Sequence, residues 1–573
     1  MRLLPVVALA ALLAAPSAAA AEARLTETAA TSAFLRQEKV ADWLDRYSAG
    51  GIVKDATFDA KDGDWTVHVW WKEAGEIATG KVDDGTGRVT EAWTGPQVAW
   101  KMARGYEGGF GGKTLNRTEV WLAFCALFLL GLIDWRRPLS LRTLDLLVLL
   151  SFSVSLWFFN RGDVFTSMPL VYPAFAYLLA RMIWVGLRGR SPSVRGAFWP
   201  VWLLAAAAVF LSGFRIGLNL ESSNVIDVGY SGVVGAHRIV NGEMPYGHMP
   251  VQRNLKTCGP ADAEGEIRER IQTNGRCESS NERGDTYGPV SYLAYVPGFL
   301  ALGWSGKWDS LPAAHFTSIA LDLLVLLGLA LVGRRFGGLP LAATLAFAWA
   351  AYPFTQYVSN SNTNDALMPL LLVWGFWLVS SPWARGIFSA LAGWTKFGAL
   401  LVAPLWAGYP EAVRFRRPRG PLLFAAGFSA ATLAAFSILL LEPDPAHAAR
   451  VFWDRTLGWQ LGRESPFSIW DWGQYHAAGI PDLRLVQLPL IGLVVAGAVA
   501  LAFYPRRRSP LQLAALTAAI LIAFEIVLTH WSYLYLPWFF PFVAFAVLAP
   551  LRHERREPQP ALDREPRELV TAR

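Results

Sequence analysis

The chain has 573 residues, of which 53% are hydrophobic and 17% are charged. So small a charged fraction, against roughly a quarter in soluble domains, excludes an ordinary soluble protein, and the recurring windows of about twenty apolar residues match the thickness of a bilayer core. The net charge of +7 does not call for nucleic acid as a partner, because much of the basic excess lies in short clusters beside apolar runs, where it reports membrane topology.

The chain begins MRLLPVVALAALLAAPSAAAAEA. A short basic start, an apolar run and small residues near Ala20 and Ala21 predict a signal peptide over residues 1–21. An uncleaved anchor is the alternative, and either one exports the following segment, 24–116. In that segment FLRQEKVADWLDRY places Phe34, Val40, Trp43 and Leu44 at helical spacing. DWTVHVWWKE alternates like a half-buried strand, and KVDDGTGRVTEAW predicts strand, turn and strand. Helix, strands and the DDGTG hairpin together resemble a PepSY-like domain, which implies an accessory or binding role. No catalytic constellation is visible in this small α+β unit.

Apolar spans are predicted near 117–134, 142–159, 166–187, 197–217, 313–333, 338–357, 365–381, 419–441, 486–504, 510–529 and 532–550. Basic residues fill the connections DWRRPLSLR, RGRSPSVR, GRRF, FRRPR and YPRRR, and the tail that follows the last span. Such clusters face the cytoplasm. The loops at 218–312, 358–364, 442–485 and 530–531 then face outside, on the same side as the N-terminal domain.

Two stretches disturb this count. YGPVSYLAYVPGFLALGW (287–304) is apolar but carries two prolines, and a full span there would put GRRF outside. A juxtamembrane or re-entrant helix suits it better. GIFSALAGWTKFGALLVAPLWAGY (386–409) has Lys396 at its midpoint, and the charge pattern asks it to return to its starting side. A broken re-entrant hairpin with Lys396 turned into a cavity satisfies this; a single span with a snorkelling lysine is the alternative.

Of the three cysteines, Cys125 lies in the first span and is inert on this reading. Cys258 and Cys277 share the long outer loop, where an oxidising exterior allows a disulfide. Two separate thiols remain the alternative. No zinc ligand set is visible.

The outer loops collect the chemistry. The first contains Asp227, just beyond an apolar span, then Tyr230, His237, Arg238 and Tyr287. An ionisable group at a membrane edge is a functional candidate, with a solvated loop acid as the alternative. The second, SNSNTND, ends in Asn364 and Asp365. The third contributes Arg455 and Arg463, and the last contributes His530. Acids, amides and arginines emerging on one side can build a single polar cavity.

The segments IDVGYSGVVGAHRIVNGEMPYG, DTYGPVSYLAYVP, WDSLPAAH, AYPFTQYVSNSNTNDALM, WTKF, GRESPFSIW and THWSYLYLPWF, in this order and sidedness, resemble the GT-C superfamily of integral-membrane glycosyltransferases. More closely, they resemble its bacterial polyprenol-phosphate-dependent mannosyltransferase-like family. The resemblance covers 197–550. It implies a polytopic α-helical membrane protein with a transferase core over 197–552; with the other spans the chain has about 11–13 transmembrane helices and a charged cytoplasmic tail over 553–573, and the three additional helices over 117–196 and the PepSY-like domain ahead of the core depart from the superfamily pattern. It also implies an acidic residue in the first large outer loop that serves as base or metal anchor, matched by Asp227, and a second acidic position, matched by Asp365. A lone Asp stands where the superfamily has Asp-x-Asp, which leaves a divalent cation open.

The implied donor is a sugar on a polyprenyl phosphate, with mannose the sugar the family suggests, and the acceptor is a glycan, glycolipid or protein outside the cytoplasm. Asp227 would take the acceptor hydroxyl's proton. Tyr230, His237, Arg238, Tyr287, Asn364, Asp365 and His530 would line the substrate cavity. Lys396, Arg455 and Arg463 would face the phosphate, which arginine's planar fork suits. Headgroup contact is the alternative for the arginines, and a helix N-cap for Asp365. Two other classes compete: a transporter or lipid flippase, for which no internal repeat is found, and a membrane haem protein, which would need histidines deep in spans.

Overall fold

The computed structural model describes residues 22–60, 62–104, 108–189, 197–249, 284–306, 311–414 and 418–550. The signal-peptide segment, the charged tail, and Cys258 and Cys277 with their proposed disulfide lie outside the described residues.

The N-terminal unit is a helix pair against an antiparallel meander. Helices α1 (Glu27–Leu35) and α2 (Glu38–Leu44) precede strands β1 (Ile52–Asp59), β2 (Asp64–Trp71), β3 (Gly75–Asp83) and β4 (Val89–Thr94), paired in the order β1-β2-β3-β4. The expected single helix over 34–47 is two, because Gln37 leaves the helical region and its side chain caps α2 by accepting from Lys39 N–H at 2.8 Å. The expected hairpin is present as β3 and β4, and alternation along β2 turns Trp65, Val67 and Val69 onto Phe34, Val40 and Trp43. Helix α3 (Pro96–Arg104) follows.

The rest of the described chain is helical: α4 (Thr118–Leu132), α5 (Leu141–Asn160), α6 (Val164–Arg188), α7 (Val201–Ser222), α8 (Asp227–Val240), α9 (Pro289–Leu293), α10 (Val296–Leu302), α11 (Pro312–Ala351), α12 (Pro353–Asn360), α13 (Leu367–Trp377), α14 (Pro382–Gly393), α15 (Ala403–Ala407), α16 (Arg419–Phe436), α17 (Pro445–Arg455), α18 (Leu457–Gly462), α19 (Arg484–Ala500), α20 (Pro510–Ile526) and α21 (Leu536–Leu548). Five of the helical stretches are long and apolar enough to cross a bilayer: α5, α6, α7, α11, and α16 with the turn that follows it to Leu441. Shorter apolar helices stand at the other expected spans. Val209 and Phe210 are more than 70% exposed and Leu433 is 74% exposed, which suits lipid contact far better than water.

The expected span at 338–357 is shortened at its C-terminal end, for a physical reason. The stretch α11 holds the two helices expected at 313–333 and 338–357, separated where Gly338, with φ 75°, leaves the helical region just ahead of Pro340. The second half stops at Ala351, because Pro353 starts the separate α12. The 287–304 stretch, expected as a juxtamembrane or re-entrant helix rather than a full span, forms the two short helices α9 and α10.

The 386–409 stretch is a broken hairpin. Helix α14 ends at Gly393, Lys396 is extended, and a 3₁₀ turn (Phe397–Val402) leads into α15. Its two ends lie together: buried Arg385 donates to the Trp406 carbonyl at 2.9 Å and the Tyr409 carbonyl at 2.6 Å. Those bonds satisfy carbonyls at the C-terminal end of α15, as irregular backbone in an apolar setting requires.

The N-terminal unit docks on the helical body. Arg46 and Ala478 exchange hydrogen bonds, with the Arg46 guanidinium donating to the Ala478 carbonyl at 3.0 Å and the Ala478 N–H to the Arg46 carbonyl at 3.2 Å. Trp43 packs on Phe165 and Tyr475, and Phe165 on Trp472. The connecting segment then touches the SNSNTND loop, where Gly111 N–H donates to Ser361 Oγ at 2.9 Å and Asn360 Nδ2 to the Gly111 carbonyl at 3.2 Å.

Candidate active site

The polar residues of four connections meet at one end of the helical body. The SNSNTND loop is fixed first. Asn219, near the end of α7, donates through Nδ2 to the Ser359 carbonyl at 2.6 Å and to Asn362 Oδ1 at 2.9 Å. Asn362 donates onward to Ser223 Oγ at 2.9 Å and the Asn224 carbonyl at 3.0 Å, from a left-handed conformation (φ 52°) that asparagine tolerates. Arg215, one turn before Asn219, forms a fully buried pair with Asp322, which also accepts from Trp349 Nε1 at 2.8 Å; Arg215 donates to Thr355 Oγ1 at 3.0 Å. These groups tie α7, α11 and α12 into one frame, and the buried charges of Arg215 and Asp322 are paired with each other, as their burial demands.

Asp365 ends that loop. It is 1% exposed and ion-paired to Lys396 at 3.1 Å, and it accepts from Trp538 Nε1 at 3.3 Å. Residue Ala366, not Asp365, caps α13, so the N-cap alternative fails. Lys396 sits at the tip of the broken hairpin with its ammonium 4.1 Å from the centroid of the Tyr287 ring and 5.9 Å and 5.8 Å from those of Tyr535 and Trp538. Tyr535 and Trp538 stack on each other at 4.0 Å. The lysine of the broken hairpin is thus buried and paired inside the protein.

Asp227 opens α8. A carboxylate in the first turn is favoured by the helix dipole, and Asp227 is partly exposed. Its charge reaches Lys396, Tyr287 and Tyr535. Two glycines allow this closeness. A Cβ on Gly229 would lie 2.3 Å from the Asn362 carbonyl oxygen, and one on Gly288 would lie 2.0 Å from that of Trp394. Helix α8 therefore rests directly on the SNSNTND backbone, and the Tyr287 segment on the hairpin tip.

Arg463 completes the cluster from the third loop. Its charge is felt at Tyr287, Lys396, His530 and Tyr535. The loop is pinned by Ser465, whose Oγ shares a 2.8 Å hydrogen bond with His530 Nδ1 and whose N–H donates to Asp471 at 2.8 Å. Burial, with Arg463 and Lys396 beside it, holds the His530 imidazole well below its ordinary range, so it is neutral near pH 7. Burial raises the Asp471 carboxyl, against the Ser465 N–H and Arg484.

Of the residues expected to line the site, Asp227, Tyr287, Asp365, Lys396, Arg463 and His530 come together. Asn364 is buried beside Asp365 in the chain, with an Oδ1 that has no hydrogen-bond partner among the described residues. Four residues have other partners. Arg455 pairs with Asp285 at 2.7 Å, and Asp285 accepts from Gly247 N–H at 2.6 Å, so Asp285 links α17 to the Gly247 stretch of the first loop. Arg238 pairs with Glu243 at 2.7 Å. His237 meets Phe299, Trp304 and Asn241, and Tyr230 meets Trp304. His237 is ten residues along α8 from Asp227, about 15 Å at 1.5 Å per residue.

The sequence reading passed over Trp538 and Tyr535, whose aromatic rings look like ordinary belt residues. It also passed over Glu525, which is 2% exposed, accepts from Trp531 Nε1 at 3.1 Å and lies within reach of Asp365. A lone acid at the end of an apolar run was the available signal.

As a donor set for a metal the cluster fits poorly. Asp365 is already held by an ammonium and an indole N–H, and among the described residues no group of three or more His, Cys, Asp or Glu side chains is placed to hold a metal ion. No protein-family model matches the chain, and no curated protein matches it.

Proposed function

We propose that the chain is a multi-pass membrane glycosyltransferase of GT-C type that moves a sugar from a polyprenyl-phosphate donor to a glycan, glycolipid or protein acceptor outside the cytoplasm. The observation that carries this reading is the convergence of two carboxylates (Asp227, Asp365) and two cations (Lys396, Arg463), from four separate connections, around Tyr287 and Tyr535. A displacement on a lipid-linked sugar needs such a set: a base for the incoming hydroxyl and positive charge for the departing phosphate.

In this reading Asp227 accepts the acceptor hydroxyl's proton as its oxygen bonds to the anomeric carbon. The bond from that carbon to the phosphate oxygen breaks, and its electron pair leaves with the polyprenyl phosphate. Arg463 and Lys396 stabilise the phosphate's charge; such electrostatic help acts most strongly in a site shielded from water. Neutral His530, bonded to Ser465, holds the Arg463 loop against the α20–α21 turn.

The basic connections would face the cytoplasm, and the site and the N-terminal unit would face outside. A lipid-linked donor follows from that placement, since nucleotide sugars stay in the cytoplasm. The test is incubation of the purified protein with radiolabelled polyprenyl-phosphate sugars and membrane acceptors. Label should move to acceptor with wild-type protein. Movement of the intact donor across a vesicle bilayer without sugar transfer would instead favour a flippase.

A further inference from the structure

The Asp365 pair has a consequence for the cation of this site. The resemblance leaves room for a divalent metal anchored by acidic residues, whereas the groups present describe a different device. The Lys396 ammonium is bonded to Asp365 Oδ1 at 3.1 Å, and the same oxygen accepts from Trp538 Nε1 at 3.3 Å. Lys396 is 7% exposed and its ammonium is faced by the rings of Tyr287, Tyr535 and Trp538, an aromatic cage that stabilises a fixed cation. The charge of Asp227 reaches the same ammonium, and Arg463 adds a second positive charge nearby. A divalent ion approaching Asp365 would meet two fixed cations and would have to displace two N–H donors.

The position of the ammonium is built in by the backbone. Lys396 lies in the extended break between α14 and the 3₁₀ turn. The tip is bonded to the Tyr287 segment, with Ser291 Oγ donating to the Thr395 carbonyl at 3.0 Å and Val290 N–H to the Trp394 carbonyl at 3.3 Å.

We propose that the Lys396 ammonium, paired to Asp365 and caged by Tyr287, Tyr535 and Trp538, is the resident cation of this site and stands where a divalent metal would otherwise bind. Its place in sugar transfer rests on the function proposed above; its test does not. Titration of the purified wild-type protein with Mn²⁺, followed by the loss of the free-ion electron paramagnetic resonance signal, should show no stoichiometric binding. One Mn²⁺ held per chain, and released by Asp365→Asn, would overturn the proposal whatever reaction the protein performs. In the transfer assay, excess EDTA should leave the rate within about twofold. A loss of tenfold or more that Mg²⁺ or Mn²⁺ restores would also overturn it. Lys396→Met should cut transfer at least a hundredfold, with Lys396→Arg retaining more of it. Equal rates in Lys396→Met and wild type would contradict the proposal.

Discussion

On the proposed function, the two arginines of the 442–485 connection divide binding from scaffolding. Arg463 extends its charge to Lys396, Tyr287 and His530, whereas Arg455 is paired with a fully buried Asp285. Arg463→Ala should therefore raise the donor KM at least tenfold, with a smaller effect on kcat, since a ground-state phosphate contact is lost. Arg455→Ala leaves Asp285 buried without its cation and should destabilise the protein by about 3 kcal/mol, read as a drop in thermal midpoint in detergent, with the donor KM nearly kept. The reverse pattern would exchange their roles. His530 makes a separate prediction about pH. Its folded-state pKa is depressed below the ordinary value of 6.5, so the unfolded chain binds the proton first. Stability attached to this group is complete above pH 6.5 and falls as the pH drops below it, by at most about 1.4 kcal/mol per pH unit. His530→Gln should flatten the fall in thermal midpoint between pH 6.5 and 5. An unchanged slope would show that another group titrates there.

At the scale of elements, the site depends on close backbone approach. Gly229→Ala would drive a Cβ against the Asn362 carbonyl, and the overpacking should cost about 1–3 kcal/mol. Because Asn362 precedes Asp365 by three residues, transfer should fall more than stability alone explains. Wild-type turnover in Gly229→Ala would mean that α8 and the SNSNTND loop move independently. Much of this architecture was legible in the sequence. The break at Trp394–Lys396 was readable because a lysine in the middle of an apolar run must find a partner or a cavity, and the basic connections required the segment to turn back. Other features were hidden. The gap between α1 and α2 depends on one Gln side chain capping one N–H, and apolar periodicity runs straight across it. Arg215 and Asp322 were visible as ionisable residues inside apolar runs, yet their pairing across 107 positions is a tertiary fact. The Arg455–Asp285 pair was hidden for the same reason: a loop arginine looks alike whether it faces a phosphate or a buried Asp285.

For the whole molecule, the N-terminal unit is tied to two of the connections that build the site. Arg46, Trp43 and Tyr47 hold the 472–478 stretch of the third loop, and Gly109–Gly111 binds Asn224, Asn360 and Ser361 beside the second. That placement requires the unit and the site to share one side of the membrane. Glu464 and Arg334 are both exposed and should lie on opposite sides. In a cysteine-free background, Glu464→Cys should react with an impermeant thiol reagent in intact cells, and Arg334→Cys only after permeabilisation. Labelling of Arg334→Cys from outside would refute the topology.

The central claim is that Asp227 is the base of a sugar transfer. Asparagine preserves its shape and hydrogen bonding but cannot accept the proton at neutral pH. The most direct measurement is the turnover of radiolabelled polyprenyl-phosphate sugar by purified, reconstituted wild-type and Asp227→Asn proteins of matched thermal stability. Turnover should fall by roughly 10² to 10⁴ in Asp227→Asn, with donor KM little changed. Equal turnover in the two proteins would contradict the account.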